Sequence, residues 1–220
     1  MDTRYARQIG LIGEKGQAKL SKAWVLIVGA GGLGNICAKF LASSGVGNIL
    51  IIDHDTVELC NLNRQIMFNK ESIGKGKAES LCKTLEKINP EINCYAFEQR
   101  FEKPFGIQFV DLVLDCTDNM ESSYFIEQEA LKEGIPDVFA KTSKYCGVVT
   151  ILGNKPYLEN NYPTKQLNKD NSVFPPIGGI VGSYQANLAL KLLLGLKVTD
   201  KVIHFDCLND SIIQYEKGGK

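Results

Sequence analysis

The run VLIVGAGGLG sets Gly29, Gly31 and Gly34 in a GxGxxG spacing, directly between a β-rich apolar stretch and an amphipathic one. In that context the glycines permit a tight turn and close approach of the backbone to a ligand. The helix that follows offers unpaired N–H groups and partial positive charge to phosphates, with Gly32 on the same surface. The same spacing would also serve close helix packing with no ligand. Asp53 ends the next apolar run, 19 residues after Gly34, where an acidic side chain accepts hydrogen bonds from ribose hydroxyls. Asp55 reads equally as a second nucleotide contact or as a plain turn carboxylate.

Beyond that strand end, DHDTVELCNLNRQIMF crowds Asn61, Asn63, Arg64 and Gln65 into a few residues. An arginine fork binds phosphate oxygens bidentately, and Lys77, at the start of the next expected helix, adds a point charge. A triphosphate with its metal needs such cations far more than a dinucleotide does. Taken singly, Arg64 or Lys77 would read as a solvated surface charge. In DLVLDCTDN, Asp115 closes a strand and Asp118 lies three residues beyond. Asp118 could hold Mg²⁺, which takes one or two carboxylates together with phosphates and water, or it could cap the helix expected from about Ser122. No His, Tyr or Lys constellation suited to hydride transfer accompanies the loop, and His54 and His204 read as strand-end or satisfied histidines.

The elements that must position these groups alternate in type. Trp24 to Val28, Ile49 to Asp53, Ile92 to Phe97, Leu112 to Asp115 and Val138 to Ala140 read as strands. Gly32 to Ser44, Lys75 to Ile88 and Ser122 to Lys132 read as helices, the second with Ala78, Leu81, Leu85 and Ile88 on one face. Successive strand–helix units predict a right-handed, doubly wound, mostly parallel α/β sheet. Further strands are expected at VVTIL, VIHFD and SIIQY, and a helix at Ser183 to Leu194. Residues 1–22 read as an N-terminal helical segment and 153–176 as a long, structureless crossover loop, a length that is often functional. The whole chain, 1–220, reads as one domain.

Bulk properties bound the function. With 44% hydrophobic and 23% charged residues the chain is globular in composition. Its 25 basic residues balance its 25 acidic ones, so no overall positive field draws in nucleic acid or anionic lipid. The N-terminal residues lack a signal-peptide core and no apolar run approaches the roughly 18 residues that span a bilayer, so a cytoplasmic location without membrane association is expected. Seven scattered cysteines indicate neither a disulfide framework nor a CxxC zinc site; most are expected to be buried, reduced thiols.

Several motifs occur together and in order: RYARQI, VLIVGAGGLG, SSGVGNILIIDHDTVELCNLNRQ, IGKGKAES, INPEI, VLDCTDN and IVGSYQANLALKLLLG. In these the chain closely resembles the MoeB/ThiF family, bacterial relatives of ubiquitin-activating enzymes, over nearly its whole length. The resemblance implies a Rossmann-like fold and ATP-dependent adenylation of the C-terminal Gly-Gly carboxylate of a small ubiquitin-like sulfur-carrier protein of the ThiS or MoaD type. It implies that Asp53 binds the ATP ribose, that Asn61, Arg64 and Lys77 handle its phosphates, and that Asp118 binds Mg²⁺. Arg7 matches an arginine that reaches the ATP site of the neighbouring subunit, which implies a homodimer. Competing readings are adenylation of a peptide or tRNA-borne carboxylate, and a silent ATP-binding partner subunit; retention of Arg7, Arg64, Lys77 and Asp118 together argues against the latter.

Two features of many relatives are missing. Their two CxxC pairs for structural zinc are absent, so no zinc is expected. The crossover loop carries no cysteine for a thioester or persulfide, so the carrier adenylate would pass to a separate sulfur donor; Cys146 and Cys60 do not occupy the matching position. Elemental analysis of the purified protein should find no stoichiometric zinc, and about one zinc per chain would overturn that reading.

Overall fold

Strands β1 (Trp24–Val28), β2 (Asn48–Ile52), β3 (Asn93–Phe97), β4 (Leu112–Asp115), β5 (Asp137–Ser143), β6 (Cys146–Leu152), β7 (Lys201–Asp206) and β8 (Ser211–Glu216) form one eight-stranded sheet. Their spatial order is β3-β2-β1-β4-β5-β6-β7-β8. The computed structural model describes residues 3–102, 105–162 and 172–217. The first five strands pair in parallel, the mostly parallel sheet that the sequence predicts, and the last three add antiparallel, a direction the sequence does not indicate. β2 is buried throughout and β1 over its last four residues, the continuous apolar pattern of strands covered on both faces.

Helices α1 (Ala6–Leu20), α2 (Gly32–Ser43), α3 (Lys77–Ile88), α4 (Met120–Glu133), α5 (Leu158–Asn161) and α6 (Pro175–Leu194) complete the described structure. The larger core lies on one face of the sheet, where Ile27, Ile49 and Leu114 meet Leu81 of α3 and Val181 of α6. On the other face Leu26, Leu50 and Val113 pack with Ile126 of α4. α2 and α6 approach closely because Gly182 faces Ile36 and the Leu33 carbonyl; a Cβ there would lie 2.9 Å from the Ile36 Cβ.

The chain runs from β1 outward to β2 and β3 on one side, then crosses to β4 on the other. Between β1 and β4 the winding reverses, and at such a switch point the loops after the two strands part to leave a crevice. The loop after β1 fits against the one after β4 only without side chains. Gly29 has φ +99° and a Cβ on it would fall 2.6 Å from the Cys116 carbonyl oxygen, while a Cβ on Gly34 would fall 1.9 Å from the Gly29 carbonyl oxygen.

Several expectations are corrected. The crossover stretch is not structureless: it contains α5, and α6 begins at Pro175 rather than Ser183. Two prolines suit a first helical turn, whose N–H groups have no intrahelical partner in any case. Its residues 163–171 lie outside the described part. α6 is also long and apolar enough, by length and composition, to cross a bilayer, contrary to the reading of the apolar runs; its apolar side chains are instead built into the larger core. β5 and β6 are longer than expected and form a hairpin, turned at Lys144 with φ 53°. Cys82 on α3 and Cys94 on β3 form a disulfide because the helix folds back beside the next strand. Of the five free thiols only Cys37 and Cys116 are buried.

Gly34→Ala should destabilise the protein by about 1–3 kcal/mol, since a methyl group would meet fixed backbone; urea denaturation reads this directly, and an unchanged midpoint would mean that the loop can yield.

Candidate nucleotide site

The crevice is floored by the β1–α2 loop. Gly31 occupies the N-cap position of α2 and no side chain caps the helix, so its first N–H groups face outward without a protein partner from a cap. A Cβ on Gly32 would meet only the Arg64 stem, at 3.7 Å, and one on Gly31 only the Gln65 amide nitrogen, at 3.8 Å. The segment containing Arg64 and Gln65 therefore arches over the glycine loop. Arg64 is half-buried, held from behind by the Cys60 carbonyl at 3.1 Å and the Asn63 side chain at 3.0 Å, both accepting from Nη1. Gln65 is 3% exposed, and its Oε1 has no hydrogen-bond partner among the described residues. Asn61 is buried and supports the arch, its Oδ1 accepting the Glu58 N–H at 3.0 Å.

Asp53 stands at the end of β2. Its Oδ2 accepts the Ala30 N–H at 2.6 Å and its Oδ1 the Asp55 N–H at 2.8 Å. Burial raises its pKa, against the pull of those two N–H groups and of Lys77. An ionised carboxylate has about four lone-pair sites, so two acceptor directions remain. Lys77 is at the first turn of α3 with its ammonium 2.7 Å from Asp55 Oδ2. That hydrogen bond holds the Asp55 pKa below the usual range. Asp53, His54 and Asp55 bring three ligand atoms within 4.8 Å of one another, with the Lys77 ammonium already on one of the two carboxylates.

Asp118 is exposed on the loop between β4 and α4. The helix cap is not Asp118 but Asn119, whose Oδ1 accepts the Ser122 N–H at 2.8 Å, and this leaves the aspartate carboxylate without a capping duty. A lone exposed carboxylate beside a phosphate-accepting loop is a hard oxygen donor of the kind that suits Mg²⁺. Arg7 is elsewhere. Tyr5 bonds Asn89 and Glu91, and Gln8 bonds the Ser44 carbonyl, which places the start of α1 at the beginnings of β2 and β3. A five-residue strand of roughly 16 Å separates that edge from the crevice, so Arg7 cannot enter the crevice of its own chain.

Sequence reasoning missed a buried charged group behind the crevice. Asp115 and Asp137 are both 0% exposed, and Lys141, on β5, donates to both Asp115 oxygens at 3.1 and 3.2 Å. The Asp137 oxygens have no hydrogen-bond partner among the described residues. Burial, then the adjacent Asp115 charge, push the Asp137 pKa well above the carboxylate range, with Lys141 opposing. A lysine inside the apolar run VFAKT was the available signal. Below the glycine loop the Cys37 and Cys116 thiols both donate to Gln185 Oε1; burial raises the Cys116 pKa well above its usual value, so Cys116 is no nucleophile.

Fold and crevice together define a doubly wound α/β protein with a glycine loop at its switch point. The chain belongs to the ThiF family, whose profile matches residues 5–218. It is 36% identical over 207 residues to the sulfur carrier protein ThiS adenylyltransferase of Escherichia coli, covering 88% of this chain and 82% of that protein. It is 32% identical over 232 residues to the adenylyltransferase and sulfurtransferase MOCS3 of Xenopus laevis, covering 99% of this chain but 51% of that protein. The chain thus spans about half the length of several such relatives. E. coli MccB has the same fold, with a TM-score of 0.84 at 22% identity over 99% of this chain and 70% of MccB.

Asp137 ionises in the unfolded chain near pH 4 but stays protonated in the folded one to much higher pH, so the folded state binds more protons and loses stability as pH rises above 4. Asp137→Asn removes that loss. Its melting temperature should exceed that of the wild type by more at pH 8 than at pH 5, and an equal difference at both values would mean that Asp137 is ionised in the fold.

Proposed function

We propose that the chain adenylates the C-terminal glycine carboxylate of a ubiquitin-like sulfur carrier, using ATP, and that it works as a homodimer. One observation carries the reading: Arg64 lies over an open glycine loop at an uncapped helix N-terminus, with Asp53 and Lys77 at its side. The name of the E. coli relative supports the carrier as substrate, and that of the Xenopus relative supports adenylyl transfer.

In this reading the α2 N–H groups and Arg64 bind phosphate oxygens, and Asp53 accepts from the ribose hydroxyls. Lys77 turns from Asp55 to the phosphates. Its release leaves Asp55 exposed to water, which offsets part of the cost of the lost pair. Asp118 would hold Mg²⁺, which supplies charge neutralisation on the triphosphate. The carrier carboxylate, already ionised at neutral pH, attacks the α-phosphorus in line. A carboxylate oxygen–phosphorus bond forms, the bond to the α,β-bridging oxygen breaks, and pyrophosphate leaves with that electron pair. No protein nucleophile takes part, so the chain's task is orientation and stabilisation of charge. Arg7 would act in the crevice of the partner subunit, since it lies at the far edge of its own sheet.

ATP–pyrophosphate exchange with carriers ending in Gly-Gly tests this. Exchange should require a carrier and fall about 10- to 100-fold in Arg64→Ala, the size of one lost charge-assisted contact. ATP binding with no exchange for any sulfur carrier, but exchange with a peptide or with a tRNA whose modified base bears a carboxylate, would move the assignment to that carboxylate.

A further inference from the structure

Lys141 is a half-buried cation that the reaction above does not use. Its ammonium lies on β5, two strands from the glycine loop, with its side chain 17% exposed. It donates to the Thr117 main-chain carbonyl at 2.7 Å, to the Thr117 hydroxyl at 2.9 Å, and to the Asp115 carboxylate at 3.1 and 3.2 Å. An ammonium has three protons, and these contacts take all three. Lys141 has no proton left for a nucleotide or a carboxylate, so it touches no reacting atom.

What it grips is the turn that carries Asp118. The Thr117 carbonyl belongs to the peptide unit whose nitrogen is that of Asp118. The Thr117 N–H and hydroxyl both donate to Asp115 Oδ1, at 2.9 and 2.7 Å, and its hydroxyl also lies 3.3 Å from Ser123 of α4. Beyond it Asn119 is tied to α4, its Oδ1 accepting the Ser122 N–H at 2.8 Å and its carbonyl the Ser123 hydroxyl at 3.0 Å, so the exposed Asp118 sits between two anchored residues, Thr117 being the one that Lys141 holds. On the other side the Cys116 carbonyl lies against Gly29, so displacement of this turn would also press on the glycine loop. A counterion for Asp115 alone would need no contact with Thr117, yet the shortest of the four distances is to the Thr117 carbonyl.

We propose that Lys141 is a positioning residue. By tying the Thr117 carbonyl to the buried Asp115 carboxylate it fixes the β4–α4 turn so that Asp118 presents its carboxylate to a metal-bound triphosphate. This rests on the nucleotide reading given above. Burial and the Asp115 charge push the Asp137 pKa well above the carboxylate range, and Lys141 makes its four polar contacts with Asp115 and Thr117 and none with Asp137.

The test is calorimetric titration of the full chain with ATP, in Mg²⁺ and in EDTA, alongside thermal melting. Wild type should bind ATP more tightly in Mg²⁺, and Asp118→Ala should abolish that enhancement. Lys141→Met leaves Asp115 buried and unpaired and could unfold the chain, so the paired variant Asp115→Asn/Lys141→Met, which buries no charge, is the informative one. It should bind ATP in EDTA as wild type does and lose about tenfold of the Mg²⁺ enhancement, whereas Lys141→Arg should keep most of it. A paired variant that melts lower but keeps the full enhancement would make Lys141 merely structural and overturn the proposal. A wild type with no ATP binding, or none that responds to Mg²⁺, would instead overturn the nucleotide reading and this inference with it.

Discussion

The tightest constraint in the molecule is steric. The Gly29 carbonyl, the first turn of α2 at Gly34 and the Cys116 carbonyl at the end of β4 occupy a volume with no room for a single Cβ. Everything in the crevice is referred to that contact. It holds the N-terminus of α2 at the switch point, sets the loop after β4 alongside it, and lets the Asp53 carboxylate reach the Ala30 N–H. Close packing of this kind has few alternative arrangements, which suits a site whose work is orientation.

Around that rigid floor the charges are arranged in two layers. In the outer layer Asp55 and Asp118 are exposed and Arg64 is half-buried, while Lys77 is buried but ends on the exposed Asp55 carboxylate, so the group can exchange partners with a ligand. Asp55 illustrates this: half exposed, it keeps Lys77 in place until something more strongly charged competes. The inner layer is Asp115 and Asp137, both fully buried, with the half-buried Lys141 at its edge. A buried pair of this kind contributes little net stability, but loss of one partner is costly. Such a pair holds geometry better than it holds the fold, which fits an anchor for the turn at Thr117.

Most of the thiols are already engaged, and the exposed one, Cys60, donates to Glu58 Oε2 at 3.3 Å. Cys37 and Cys116 are spent on Gln185, Cys82 and Cys94 are joined to each other, and burial raises the Cys146 pKa. Gln185 uses its amide to hold the Asp115 and Val138 carbonyls, so α6 is stitched across the end of β4 and the start of β5. The helix that follows the crossover segment is thus part of the frame of the crevice and not only a cover for the sheet.

Local sequence determined much of this. GxGxxG between a strand and a helix, an aspartate at the next strand end, and the polar cluster from Asn61 to Gln65 were legible because each depends on neighbours within a few residues. The alternating apolar runs gave the doubly wound order for the same reason. Other features were decided only when distant segments met. The cap role passed from Asp118 to Asn119 through one side-chain orientation, and the start of α6 moved to Pro175 because packing on α2 stabilises a first turn that propensity alone does not announce. The Cys82–Cys94 bridge, the placement of Arg7 at the far edge of the sheet, and the Lys141–Asp115–Thr117 contact join residues 12 or more positions apart across separate elements. No periodicity or motif encodes such proximity; it arises from strand order and register, which the buried faces of the whole sheet select together.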